Sequence, residues 1–137
     1  FWIHSFKEQR PLKYIGFGGN GYQVRDCLDP RDLVPLLAQQ FVEPIETDKP
    51  RALNLSGGVR NSMSLKQLSA WCETRLGSNT VVKTNTERPF DIAWMVLDAS
   101  KAKAVWNWKP KTDIYSVLED IAAFAETKSN WCELSAL

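Results

Sequence analysis

The stretch Gly16-Phe17-Gly18-Gly19-Asn20-Gly21-Tyr22-Gln23-Val24-Arg25-Asp26-Cys27-Leu28-Asp29-Pro30-Arg31-Asp32 decides how this chain is read. Ahead of it, Leu12 to Phe17 is apolar and aromatic enough for a strand, and the glycines to Gly21 make its turn. Gln23 to Leu28 is a short extended segment. A helix then starts: Asp29 offers its carboxylate as N-cap, Pro30 sits where a missing N–H is harmless, and Asp32 faces the positive helix end. That helix is predicted to run to about Val42, with Pro35 tightening or bending its first turns.

The rest of the chain keeps the alternation. Phe1 to about Gln9 is predicted as the end of a helix, and Glu43 to Lys49 as a polar loop. Ala52 to Ser56 is predicted as a strand ending at Gly57-Gly58. Ser64-Leu65-Lys66-Gln67 is a capping box that opens a helix closed by Gly77, with Leu65, Leu68, Trp71, Cys72 and Leu76 on its buried face. Thr80 to Thr84 and Ala93 to Leu97 are further strands, and Asp98 or Ser100 caps a short helix to Trp106. Ile114, Val117, Leu118, Ile121 and Phe124 recur at helical spacing in a last helix. Trp106 and Trp108 are expected to pack that helix onto the sheet. The class is α/β, with a small mixed sheet and four to five helices in a single domain, 1–137.

Composition excludes more than it assigns. The chain has 137 residues, 44% hydrophobic and 24% charged, as an ordinary globular domain does. A net charge of +1 gives no reason to expect nucleic acid or an acidic membrane as partner. No apolar run approaches the roughly 20 residues that span a bilayer. Cys27, Cys72 and Cys132 are odd in number and without metal-like spacing, so they read as small hydrophobes in a reducing, cytoplasmic compartment, and no metal site is expected. His4 is the only histidine and lies on an apolar segment, where packing is the expected role. That segment opens without a capping residue. The chain is therefore expected to be truncated at its N-terminus, with Phe1, Trp2, Ile3 and Phe6 forming an apolar patch.

Two arginine motifs carry the chemistry: Val24-Arg25-Asp26 and, 63 positions on, Glu87-Arg88-Pro89-Phe90-Asp91. Two guanidinium forks brought together suit a diphosphate, since each gives paired charge-assisted bonds to phosphate oxygens. Alone, Arg25 reads equally well as an ion pair with Asp26, Asp91 as a turn residue and Asp98 as a helix cap.

In order along the chain, Gly19-Asn20-Gly21-Tyr22-Gln23-Val24-Arg25-Asp26-Cys27-Leu28, Leu53-Asn54-Leu55-Ser56-Gly57-Gly58 with Asn61-Ser62-Met63-Ser64-Leu65, Glu87-Arg88-Pro89-Phe90-Asp91, Asp98-Ala99-Ser100-Lys101-Ala102 and Trp106-x-Trp108-x-Pro110 resemble the C-terminal, substrate-binding portion of extended short-chain dehydrogenase/reductases. The Gly-Gly…Asn-Ser-x-Ser version is similar to that of CDP-paratose (CDP-tyvelose) 2-epimerases. The resemblance implies that Arg25 and Arg88 hold the diphosphate of a nucleotide sugar and that Asp91 accepts from the ribose hydroxyls. It implies that the strand from Tyr14 through Phe17 to Gly18 lies along the base and reads it mainly through backbone groups. The chain departs from the family at Phe90, where relatives often carry glycine.

The family's reaction uses a Tyr-x-x-x-Lys pair. Here Tyr14, Tyr22 and Tyr115 are followed four places on by Gly18, Asp26 and Glu119, and no G-x-G-x-x-G joins a strand to a helix. No catalytic residue and no cofactor-binding residue is expected in this chain. The expectation is a nucleotide-sugar binding portion of an NAD-dependent epimerase (an isomerase), with NAD and the N-terminal Rossmann half supplied by a homodimeric, full-length parent and this portion inactive alone. The same portion of a nucleotide-sugar dehydratase or reductase, and a stand-alone nucleotide-sugar binding module, remain the alternatives.

Overall fold

The computed structural model describes residues 1–42 and 49–128, so the expected polar loop from Glu43 lies almost wholly outside the described residues, as does Cys132. Five α-helices lie among the described residues: α1 (Trp2–Lys7), α2 (Val34–Val42), α3 (Leu65–Leu76), α4 (Ser100–Trp106) and α5 (Ile114–Thr127). The strands are short: β1 (Leu12–Tyr14), β2 (Val24–Asp26), β3 (Ser62–Ser64), β4 (Val81–Lys83) and β5 (Trp94–Met95). β1 pairs with β4 in one sheet, and β3-β2-β5 is the order of the other. β1·β4 and β2·β5 are parallel, with Leu12 opposite Val81 and Arg25 opposite Met95. The α/β class is as expected.

The chain divides into two compact units. The first comprises Phe1–Arg25, Met63–Met95 and the described residues from Leu118 on. Its core holds Ile3, Phe6, Leu12, Tyr14, Cys72, Leu118, Ala122 and Ala125. Ser69 of α3 is a polar hub within it: its hydroxyl accepts from Trp2 Nε1 at 2.9 Å and Tyr14 Oη at 2.8 Å and donates to the Leu65 carbonyl at 2.9 Å. Trp2 and Tyr14 stack with ring centroids 5.8 Å apart. The expected apolar patch at the start of the chain does not form. Ile3 and Phe6 are buried and Trp2 is half-buried, leaving Phe1 as its exposed member, because α1 has α3 to pack against. The capping box opens α3 as expected: Gln67 N donates to Ser64 Oγ at 3.1 Å, and Ser64 N to Gln67 Oε1 at 2.8 Å.

The second unit comprises the described residues of Asp26–Ser62 and Val96–Val117. Leu36, Ala102 and Trp108 form its core, with Leu53, Leu55 and Trp106 against them. Two expectations are corrected here. The segment from Ala52 to Ser56 pairs with no strand among the described residues: Leu53 and Leu55 pack on the α2/α4 core, and the buried Ser56 hydroxyl bonds to the Asp26 carboxylate and the Leu97 carbonyl. Trp108 does not pack the last helix onto the sheet but lies between α2 and α4, where its indole N–H donates to the Asp32 carbonyl at 2.9 Å. Asp29 caps as expected, accepting from Arg31 N at 2.8 Å, though the first turn it opens, Pro30–Leu33, is 3₁₀.

Candidate functional site

The site is built in the first unit from two loops fastened to each other. β1 runs into the glycine turn, and the residues after β4 run alongside. Thr84 donates from N and Oγ1 to the Tyr14 carbonyl, at 3.2 and 2.8 Å, and Gly16 N donates to the Thr86 carbonyl at 2.8 Å. A Cβ on Gly19 would lie 2.5 Å from the Thr84 carbonyl oxygen, and one on Gly16 would lie 3.3 Å from Arg88 Cβ and 3.8 Å from Asp91 Oδ2. The backbones approach this closely only because those side chains are absent. The glycine turn is therefore the floor against which Arg88 and Asp91 are set.

Arg25 enters from β2, held beside β5 by the Val24 N–H donating to the Ala93 carbonyl at 2.8 Å. Its Nη2 donates to Asp91 Oδ1 at 2.5 Å, and its Nη1 to the Val24 carbonyl at 2.6 Å. The side chain of Asp91 is 11% exposed and that of Arg25 42%. Asp91 Oδ1 also accepts from Ile92 N at 2.9 Å, while Oδ2 is buried with no hydrogen-bond partner among the described residues. Arg88, exposed, sits one turn earlier, where its carbonyl accepts from Asp91 N at 3.3 Å. Arg25 thus pairs with Asp91 rather than Asp26, whose carboxylate is taken by Ser56.

Phe90 decides the reach of Asp91. Its φ is +61°, the left-handed region that glycine favours, so the backbone follows the course a glycine would give it while carrying a fully exposed ring. Of the other expected site residues, Tyr14 turns its ring into the core and spends its carbonyl on Thr84. Phe17 (φ +49°) and Gly18 lie on the exposed arc of the turn. Thr84 and Thr86, which fasten the loops, were not anticipated; their alternation beyond the Val81–Lys83 strand is the signal that was available.

Two cations at different depths and one carboxylate, with exposed aromatic surface beside them, have the chemistry to bind an anion carrying hydroxyl or amide groups. Nucleophilic chemistry finds no support at the described cysteines. Burial pushes the Cys72 thiol up to about 12, and burial with Asp26 and Asp29 nearby raises that of Cys27. Among the described residues no group of three or more His, Cys, Asp or Glu is placed to hold a metal ion, and no helix is long and apolar enough to cross a membrane.

No protein-family model matches the chain. It is 30% identical over 104 residues to the CDP-paratose 2-epimerase of Salmonella typhi, an alignment covering 72% of this chain and 29% of that enzyme. Among solved structures, the UDP-glucuronic acid 4-epimerase of Bacillus cereus, in complex with UDP-glucuronic acid and NAD, matches with a TM-score of 0.75 and 19% identity, over 92% of this chain and 38% of that one. The UDP-glucose 4-epimerase of Thermotoga maritima, with UDP-glucose, gives a TM-score of 0.61 and 24% identity, over 84% and 34%. In sequence and in fold the chain is thus similar to part of the extended short-chain dehydrogenase/reductase epimerases. The chain spans about 29% of the length of that curated relative.

The Bacillus cereus enzyme is in complex with NAD, and the described residues here do not fit that cofactor. The glycine turn after β1 leads through a 3₁₀ turn into β2, not into a helix whose N-terminus would meet a pyrophosphate. Tyr14, the buried tyrosine, donates its hydroxyl to Ser69 Oγ at 2.8 Å inside the core of the first unit.

Proposed function

We propose that this chain is the nucleotide-sugar binding portion of an NAD-dependent nucleotide-sugar epimerase, and that its site is the Arg25–Arg88–Asp91 constellation. The observation that carries the reading is the convergence, within one unit, of β2 and the 84–91 loop. It pairs Arg25 with Asp91 at 2.5 Å and sets Arg88 against the glycine turn. The pair with Asp91 and the bond to the Val24 carbonyl orient the Arg25 guanidinium and leave further N–H groups for phosphate oxygens. Arg88, free to swing at the surface, closes on the other side of the diphosphate. Asp91 Oδ2, buried and unbonded, accepts from the ribose hydroxyls. Binding at the nucleotide, away from the reacting carbon, fixes the sugar for chemistry at another part of the whole protein, where NAD is held. The curated relative, a CDP-paratose 2-epimerase, supports epimerisation as the reaction and a cytidine nucleotide as the first ligand to try.

The test is Arg88→Ala in the full-length protein. Charge-assisted bonds contribute about 1.5–3 kcal/mol each, so nucleotide-sugar affinity is expected to fall roughly ten- to a hundredfold with NAD content unchanged. Arg88→Lys is expected to recover only part, since a point charge does not replace a fork. Unaltered affinity in both variants would refute the site.

A further inference from the structure

We infer that Phe90 is a ligand-binding residue whose ring stacks on the nucleobase, a role resting on the diphosphate site proposed above. Three observations converge on it. Its backbone lies at φ +61°, a conformation that a bulky side chain adopts only at a cost and that glycine adopts freely. Its ring makes no use of the protein's own core and is fully exposed. It stands between Pro89, whose own φ is fixed, and Asp91, which is bonded to Arg25. A surface position that needs nothing but solvent contact is served better by glycine, which removes the strain and the wet apolar surface together. A retained aromatic ring at such a place has its use in a bound state. Strain of this kind concentrates at ligand clamps.

The neighbouring groups say which part of a ligand meets the ring. Arg25 and Arg88 take the diphosphate and Asp91 the ribose, so the next group outward along a nucleotide is the base. A base offers a planar π-face to any aromatic partner, whatever its hydrogen-bonding edge. Phe17 follows Gly16 on the facing turn, also at positive φ and also partly exposed, so exposed rings stand on both loops that meet at the Gly16–Arg88 contact. The Tyr14 carbonyl is already taken by Thr84, which leaves side-chain stacking as the stronger source of base affinity on this face.

The experiment measures binding of CDP, UDP and inorganic pyrophosphate to the full-length protein and its Phe90→Gly, Phe90→Trp and Arg88→Ala variants by calorimetry. Phe90→Gly is expected to weaken the tighter-binding nucleotide by about tenfold, to leave pyrophosphate unchanged, and to melt no earlier than the parent because the strain is relieved. Phe90→Trp is expected to keep nucleotide affinity and to show quenched indole fluorescence on binding. Unchanged nucleotide affinity in Phe90→Gly, with Arg88→Ala weakening both ligands, would overturn the stacking role alone. Equal weakening of nucleotide and pyrophosphate by Phe90→Gly would likewise overturn it. If Arg88→Ala left every affinity unchanged, the diphosphate site itself would fall, and the stacking role with it.

Discussion

Asp32 shows how one side chain can organise a loop that has no strand to pair with. Its Oδ2 accepts from Lys111 N at 2.8 Å and Thr112 N at 3.0 Å, its Oδ1 from Thr112 Oγ1 at 3.0 Å, and its carbonyl from the Trp108 indole. Asp32→Ala would leave two backbone donors without their acceptor and is expected to cost roughly 2–3 kcal/mol, read as a shift in urea midpoint at constant slope; a change below about 0.5 kcal/mol, the range of an ordinary surface substitution, would count against this account. The sequence offered Asp32 as a helix-dipole partner, and that local reading was too short-sighted. Its ligands lie nearly eighty positions away, and nothing in the spacing of Lys111 and Thr112 announces them. The pairing of Arg25 with Asp91 is likewise a matter of tertiary convergence: either arginine could have been matched with its sequence neighbour. At Phe90 the sequence showed only that a ring precedes the aspartate; the sign of φ had to come from the fold.

Helix ends were the most legible elements because their chemistry is local. Ser64 and Gln67 form the reciprocal box that their spacing implied, and Gly77 closes α3 at φ +93° with its N–H on the Glu73 carbonyl. Ser64→Ala is expected to destabilise the protein by about 1 kcal/mol, with Ser64→Asp recovering most of it; equal losses in both variants, followed by thermal melting, would contradict the capping role. Strands were less legible for a physical reason. Alternating apolar residues such as Leu53 and Leu55 satisfy their burial equally well on a sheet or on a pair of helices, and here the α2/α4 core took them. The first turn after Asp29 departs in a smaller way: Pro35, without an N–H, accompanies a 3₁₀ start, and the α-helix begins only at Val34.

For the molecule as a whole, titration is expected to come in two stages. Burial holds His4, in the first unit, below the ordinary 6.5, so the unfolded chain binds the proton more readily and stability falls as pH drops below about 6.5. In the second unit Asp29 is held low by its bonds from Arg31, Asp98 by the Ser100 N–H and hydroxyl, and Asp113 by the hydroxyl and N–H of Ser116. A depressed carboxyl stabilises above its unfolded value of about 3.9 and loses that contribution as pH falls through the lower folded value. Melting temperature is therefore expected to be highest near neutrality, to decline gently below pH 6.5 and to drop steeply below pH 4. In His4→Phe the first decline is expected to vanish while the second remains; a profile identical to that of the parent would show that His4 is not its source.

The β1·β4 ladder has a consequence on the ribosome. Leu12 must wait for Val81, 69 positions later in the chain. At about 5–20 residues per second, β1 spends roughly 3–14 s as an emerged strand whose partner is still being made. A long-range parallel pairing of this kind is among the slow steps of folding. Until it forms, Leu12 and the Tyr14 ring are offered to solvent, and the first unit is a client for whatever shields nascent chains.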